Sequence, residues 1–329
     1  MSSSSTPEPP PDASRLAIEE VEEAEAILRQ RPPEAEAALG EAAPVRSGKG
    51  WLTLAWAAPG YAWLGFYLVA PLVFIVLVSF WTSDQSLGYV RNWTTSNYTE
   101  LFSPFSLDNA YWKNMLTSFE TSVIAVAACL VFGFPIAYFL ALKVEKLQNQ
   151  IALFILALAP FWTSFLTRSI AWTYPLMGRE GALNQVIPGP PVEDLGFSPL
   201  SVRLAMVQLY ILFMITPLFF TLAQVDRAAL EAARDLGGNW WRTFKEVIVP
   251  QSAPGAVIGS IFIFVLTMGD YGTVQVIGGG NVTSVGTVVN SKIGSIQYPQ
   301  GAASAVLLVL VLIAGVFVIT RFSNLRQEL

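Results

Sequence analysis

Glu231-Ala232-Ala233-Arg234-Asp235-Leu236-Gly237, followed by thirteen residues that end at Val249-Pro250, is the stretch on which the fold turns. It lies in a charged, helix-forming island, residues 224–254, set between two strongly apolar segments. Hydrocarbon offers such charges no partner, so the island belongs in water and the segments on either side belong in a membrane. Its small residues and its Gly-then-Pro punctuation have the form of a docking surface for another protein.

The island reads as two short helices at an angle. Asp226 is placed to cap the first, Arg227-Ala228-Ala229-Leu230-Glu231-Ala232-Ala233-Arg234-Asp235-Leu236. Arg227 and Glu231 share a face four residues apart. Four alanines give high helix propensity and a thin profile. Gly237-Gly238 ends the helix. A second amphipathic stretch carries Trp240, Trp241, Phe244, Val247 and Ile248, and Pro250 is expected to stop it. The thin helix suits a partner's groove. The aromatic one suits packing back on the membrane bundle or its interface.

Working outward, the rest of the chain is lipid-compatible. Of 329 residues, 53% are hydrophobic and only 13% charged, and the mean hydropathy is +0.51. A soluble domain would carry roughly a quarter charged residues. The single cysteine, Cys129, rules out a disulfide framework, and there is no histidine. Catalytic His chemistry and Cys/His metal clusters are therefore excluded. No carboxylates are spaced for catalysis, so neither a catalytic nor a metal site is expected, and nothing suggests a nucleic-acid partner.

Six apolar segments, about 58–81, 118–142, 151–172, 202–223, 255–275 and 302–321, each approach the ~20 residues that cross a ~30 Å hydrocarbon core. The third and fifth are the least uniform. Gly255 and Gly259 permit close helix approach in the fifth. Residues 1–50 are rich in Ser, Pro, Glu and Ala and read as a disordered acidic tail, with a short acidic helix available over 15–30. The first 45 residues hold ten acids and three bases, so the net charge of −5 belongs to this tail. It is not a signal peptide, because the leader is acidic and the first apolar run lies too far in. Residues 51–329 form the membrane domain.

Orientation follows from Lys/Arg asymmetry. With the amino terminus inside, Arg46, Lys49, Lys143, Lys146, Arg227, Arg234, Arg242, Lys245, Arg321 and Arg326 are inner. Only Arg91, Lys113, Arg179, Arg203 and Lys292 are outer, with Arg168 in the third span. Both termini and the island then face the cytoplasm. The outer loops, about 82–117, 173–201 and 276–301, carry Trp93, Tyr98, Trp112, Tyr174 and Tyr298 at interfacial positions. Gly278-Gly279-Gly280 lacks a following G-K-[ST] and reads as a flexible turn.

Glu231-Ala232-Ala233, three residues, Gly237, nine residues, then Val247-x-Val249-Pro250 resembles the E-A-A-x3-G-x9-I-x-L-P loop of permease subunits of binding-protein-dependent (type I) ABC importers. Valine stands for isoleucine and leucine at two positions. Pro160-Phe161-Trp162-Thr163-Ser164-Phe165-Leu166-Thr167-Arg168-Ser169-Ile170-Ala171-Trp172, and Gly178-Arg179-Glu180-Gly181-Ala182-Leu183-Asn184 after it, are similar to the third span and loop of the spermidine/putrescine subfamily. So is Gly269-Asp270-Tyr271 with Gly278-Gly279-Gly280. The resemblance covers residues 55–325 or so. It implies an all-α polytopic membrane protein with six transmembrane helices and a cytoplasmic coupling-helix loop, in the inner (plasma) membrane. It also implies partners: a cytoplasmic ABC ATPase dimer, a second homologous permease, an extracytoplasmic solute-binding protein and the surrounding lipid. The permease is no enzyme by itself and has no cofactor of its own, because the partner ATPase uses the ATP. Glu231, Ala232, Ala233, Gly237 and Pro250 are the coupling positions.

A polyamine is a flexible polycation, and its path needs carboxylates and aromatic faces. Asp270, beside Tyr271 in the outer part of the fifth span, is the leading candidate. Its alternative is an ion pair within the bundle, with Arg168 as the natural partner. Glu120 at the outer start of the second span, and Trp172 and Tyr174 at the end of the third, are further candidates. For all three an interfacial role is the competing reading and the favoured one. Glu180, Glu193 and Asp194 suit either a binding-protein contact or a solvated face. Two other readings stay open: the same machine for ferric iron, thiamine or an opine-like solute, and a stand-alone secondary transporter or channel.

Overall fold

The computed structural model describes residues 50–84, 88–102, 110–172, 181–182, 185, 197–226, 230 and 239–322. The acidic tail, Tyr174, Glu180, Glu193, Asp194 and the coupling positions Glu231, Ala232, Ala233 and Gly237 lie outside them. The chain divides into two compact units, up to Ala70 and from Pro71 onward. The described part of the first is helix α1 (Gly50–Leu64) and a π-helical turn, Gly65–Val69, with Tyr67 against Trp63 and Phe66.

The second unit is a helical bundle with one small hairpin. Helix α2 (Ala70–Ser79) leads into strands β1 (Trp81–Thr82) and β2 (Val90–Trp93), paired antiparallel. Then come α3 (Ser96–Phe102), α4 (Ala110–Tyr138), α5 (Leu147–Leu158), α6 (Phe165–Ala171), α7 (Pro199–Tyr210) and α8 (Leu212–Ala223). They are followed by α9 (Trp240–Thr243), α10 (Val249–Met268), α11 (Gly272–Gly278), α12 (Val285–Gly294) and α13 (Tyr298–Phe322). Among the described residues, four helical stretches are each long and apolar enough to cross a membrane: Trp56–Ser79, Ala110–Lys143, Trp240–Met268 and Tyr298–Arg321. Two bent pairs, Leu147–Trp162 with Phe165–Ala171 and Pro199–Tyr210 with Leu212–Ala223, bring the candidates to six. The protein is all-α and polytopic, as the hydropathy predicts.

The third and fourth segments are not straight spans. The third bends by 84°. Pro160 has no N–H to continue the α-ladder, so Ala159–Trp162 tightens into a 3-10 turn. Thr163 then closes it, its backbone N–H and its hydroxyl both donating to the Pro160 carbonyl. Ser164 is extended and α6 restarts at Phe165. The fourth bends by 40° at Ile211, ahead of Pro217, whose ring occupies the place of a donor to the Phe213 carbonyl.

The fifth segment corrects the expected boundaries at both ends. Pro250 does not stop a separate helix, because Trp240–Met268 runs as one span. Phe244–Ile248 is a π-helical turn in which the Val249 N–H reaches the Phe244 carbonyl, five residues back. That widened register leaves Pro250 at the start of α10, where its missing N–H is harmless. At the far end the helix stops at Met268 and not near 275.

Helices α4, α8 and α10 form the centre. Their apolar core includes Ala125, Cys129 and Ala137 of α4, Met214, Ile215, Leu218 and Leu222 of α8, and Ile263 of α10. The G-x-x-x-G of α10 is a packing device here. A Cβ on Gly255 would lie 2.6 Å from the Pro217 carbonyl oxygen, and one on Gly259 2.7 Å from Met214 Sδ and 3.0 Å from Met214 Cα. Only hydrogen fits at either position. Apolar side chains face outward on several spans, among them Ile313 and Phe317 of α13, as bilayer-exposed helices require.

Candidate functional site

Beyond Met268 the chain makes a polar break before α11, and the break holds Asp270. Its backbone N–H donates to the Thr267 carbonyl at 3.3 Å. Its carboxylate is gripped from two sides. Oδ1 accepts the Thr273 backbone N–H at 2.9 Å, in the first turn of α11. Oδ2 accepts the Tyr210 hydroxyl at 2.9 Å, from the end of α7. The residue is 9% exposed. A carboxylate has about four lone-pair sites, so these two bonds leave acceptor capacity unused. Gly286 of α12 completes the close approach: a Cβ there would lie 3.0 Å from the Gly269 carbonyl oxygen and 2.9 Å from Tyr271 Cβ.

Around this carboxylate the bundle gathers hydroxyl groups. Ser284 Oγ donates to the Asp270 carbonyl at 3.4 Å and also caps α12. Ser118 Oγ accepts the Val285 N–H at 2.9 Å, tying α12 to α4. Thr273 Oγ1 is buried without a hydrogen-bond partner among the described residues. Sequence reasoning missed Tyr210, Thr273 and Ser284. Tyr210 stands in an apolar run 60 residues from Asp270, and nothing local announces the contact.

The other candidates are dispersed. Tyr271 is 45% exposed beside Asp270. Trp172 donates its indole N–H to Gln208 Oε1 at 3.1 Å and packs with Val202, Ala205, Met206, Val274 and Ile277. That places it on the same α7–α11 junction that holds Tyr210 and Asp270. Glu120 is not brought to the site: it pairs with Arg203 at 2.7 Å, and its side chain is 62% exposed. Arg168, the suggested ion-pair partner of Asp270, makes no ion pair with it. Arg168 Nε and Nη1 are buried without hydrogen-bond partners among the described residues, and the guanidinium carbon lies 5.8 Å from the centre of the Phe161 ring.

Of the coupling loop, the described residues include Gln224–Asp226, Leu230 and the stretch from Asn239. The Leu230 N–H donates to the Asp226 carbonyl at 3.3 Å. Asn239 caps α9, its Oδ1 accepting the Trp241 N–H at 2.7 Å. Trp240 and Trp241 flank Phe244 at 5.3 and 5.7 Å. Phe244 meets Phe134 of α4 edge-on at 5.6 Å, so the aromatic stretch packs back on the bundle as its sequence predicts. Among the described residues, no group of three His, Cys, Asp or Glu is placed to hold a metal ion.

A family model, binding-protein-dependent transport system inner membrane component, matches residues 130–326. The chain belongs to this family. It is thus a membrane permease component of an ABC importer, located in the inner membrane, and the island between its fourth and fifth segments falls within the matched region. Among its relatives is the spermidine/putrescine transport system permease protein PotB of Haemophilus influenzae, 33% identical over 274 residues, covering 82% of this chain and 93% of the relative. The protein of the same name in Escherichia coli is 32% identical over 271 residues, covering 81% and 96%. A bacterial alginate ABC transporter, crystallised with an alginate pentasaccharide-bound periplasmic protein, has a chain of the same fold. Its TM-score is 0.60 at 15% identity, covering 84% of this chain and 95% of that one.

Proposed function

We propose that this permease imports spermidine, putrescine or a closely similar polyamine, and that the Asp270 carboxylate is an ammonium-binding point on its path. The observation that carries the reading is that carboxylate, buried at the end of the fifth segment yet with acceptor capacity beyond Tyr210 and Thr273. The names of the relatives, at about a third identity over most of the chain, support the same cargo. Tyr271, next in sequence, and Trp172, on the α7–α11 junction, add aromatic faces to that of Tyr210, and Tyr174 and Glu120 are secondary candidates.

The permease works with a second, related permease, a cytoplasmic ATPase dimer and an extracytoplasmic solute-binding protein. Both termini face the cytoplasm. The ATPase dimer closes on ATP, the loop containing Glu231, Ala232, Ala233, Gly237 and Pro250 transmits that closure, and the bundles reorient outward to receive the substrate. Hydrolysis, which occurs on the ATPase subunits, restores the inward-facing state.

The Thr273 bond favours a second reading, in which Asp270 only caps α11. Two substitutions separate the two. Asn keeps a side-chain oxygen for the Thr273 N–H but removes the charge, whereas Ala removes both. In reconstituted complex, Asp270→Asn should lower polyamine uptake by an order of magnitude or so with assembly intact, as loss of a charge-assisted contact implies. Wild-type uptake by Asp270→Asn, with failure confined to Asp270→Ala, would establish the capping reading.

A further inference from the structure

Arg168 is a cation whose structural purpose the bundle does not reveal. It sits one turn into α6, just after the 84° break of the third segment. Two of its three guanidinium nitrogens are buried with no hydrogen-bond partner among the described residues, an arrangement that leaves strong donors unsatisfied. A ring contact with Phe161 does not replace those bonds. Yet its position is specific. Helix α6 packs on α7 and α11, the two elements that supply Tyr210 and Thr273 to Asp270. Phe165, three residues before Arg168, has its ring edge 3.5 Å from where a Gly272 Cβ would lie, and Asp270 Oδ1 is 3.8 Å from the same point. A positive charge is thus carried by a helix packed on the two elements that hold the carboxylate, on the same helix as Phe165 and with no ion pair to Asp270.

We propose that Arg168 is a specificity-determining residue of the Asp270 site. It is a fixed repulsive charge that lets the carboxylate accept one ammonium group at a time. This rests on the reading of Asp270 as an ammonium-binding point. A compact dication brings two charges to the carboxylate and meets the repulsion twice. A diamine with a long hydrocarbon spacer brings one charge and holds the other away, so it meets the repulsion about once. Discrimination then arises from a built-in penalty on the wrong ligand, added to the attraction for the right one. The buried surroundings keep both charges weakly screened, which is what gives a residue out of hydrogen-bond reach this influence.

The test is equilibrium binding of radiolabelled putrescine to the whole permease–ATPase complex in nanodiscs, without the solute-binding protein and with Mg²⁺ as competitor. Arg168→Gln should tighten putrescine binding by roughly threefold and strengthen Mg²⁺ competition by about tenfold, the second being near the square of the first because repulsion scales with ligand charge. Arg168→Lys keeps the charge without the planar fork and should retain wild-type selectivity. An unchanged ratio in Arg168→Gln, or equal weakening of both ligands, overturns the proposal. Should Arg168→Gln fail to assemble, Arg168→Lys decides alone, and Mg²⁺ competition above wild type there also overturns it. Asp270→Asn should weaken putrescine binding by about an order of magnitude. Unchanged binding in that variant removes the Asp270 reading itself, whereas weakened binding there with an unchanged Arg168→Gln ratio defeats only the role given to Arg168.

Discussion

At the scale of single residues, the carboxylate of Asp270 is held by one local donor, the Thr273 N–H, and by one remote in sequence, the Tyr210 hydroxyl. Gly269-Asp270-Tyr271 was legible as a polar interruption, and its family resemblance marked it. Its partner Tyr210 was not legible, because a tyrosine at the end of an apolar run looks like any interfacial aromatic. Tyr210→Phe removes the phenol donor and leaves one carboxylate oxygen with a single fewer partner. It should reduce polyamine affinity only modestly, by about fivefold, in line with the ~1 kcal/mol net worth of one hydrogen bond. Titration calorimetry on the complex measures this, and a loss as large as that of Asp270→Asn would mean that Tyr210 holds the carboxylate's charge in place. Glycines gave the clearest sequence-to-structure reading. Gly259 faces Met214 backbone and sulfur directly, so Gly259→Leu forces α8 and α10 apart. The expected consequence is overpacking of about 1–3 kcal/mol, visible as a lower thermal midpoint of the purified complex. An unchanged midpoint would show that α8 yields without strain.

At the scale of elements, hydropathy located all six candidate segments but could not see their bends. A window of apolar residues sums transfer energies and is blind to which carbonyls find donors. The third segment shows the consequence: Pro160 opens the ladder, Thr163 recloses it on the Pro160 carbonyl, and the chain turns by 84°. Pro250 shows the opposite error, since a proline read as a stop is absorbed by the π-helical turn Phe244–Ile248. The short helices α3, α11 and α12 and the β1–β2 hairpin fall in stretches read as outer loops or segment ends. They are too brief for periodicity to register. The break at Thr163 and Ser164 should matter for function more than for stability, because α6 carries Arg168 toward the Asp270 junction. Thr163→Ala removes one of the two bonds closing the turn. Near-wild-type thermal stability with reduced uptake is the expected pair of results, and a stability loss with normal uptake would assign the turn a purely structural part.

At the scale of the whole molecule, orientation and coupling remain the matters to measure. The inner bias of Lys and Arg predicts a cytoplasmic island, and the protein, with its single cysteine, offers a convenient labelling background. Cys129 is fully buried, and Cys129→Ala should be tolerated at a cost of about 1 kcal/mol. In that background, a membrane-impermeant maleimide applied to spheroplasts should label Asn281→Cys, while Lys245→Cys reacts only after the membrane is opened. The reverse pattern would invert the topology. The central claim, that this permease moves its cargo through force received at the 224–254 loop, is tested most directly with Gly237→Asp. The measurement is ATP-driven uptake of radiolabelled spermidine by proteoliposomes containing the complete importer. The account predicts that the variant inserts normally and loses uptake. Uptake equal to wild type would contradict it.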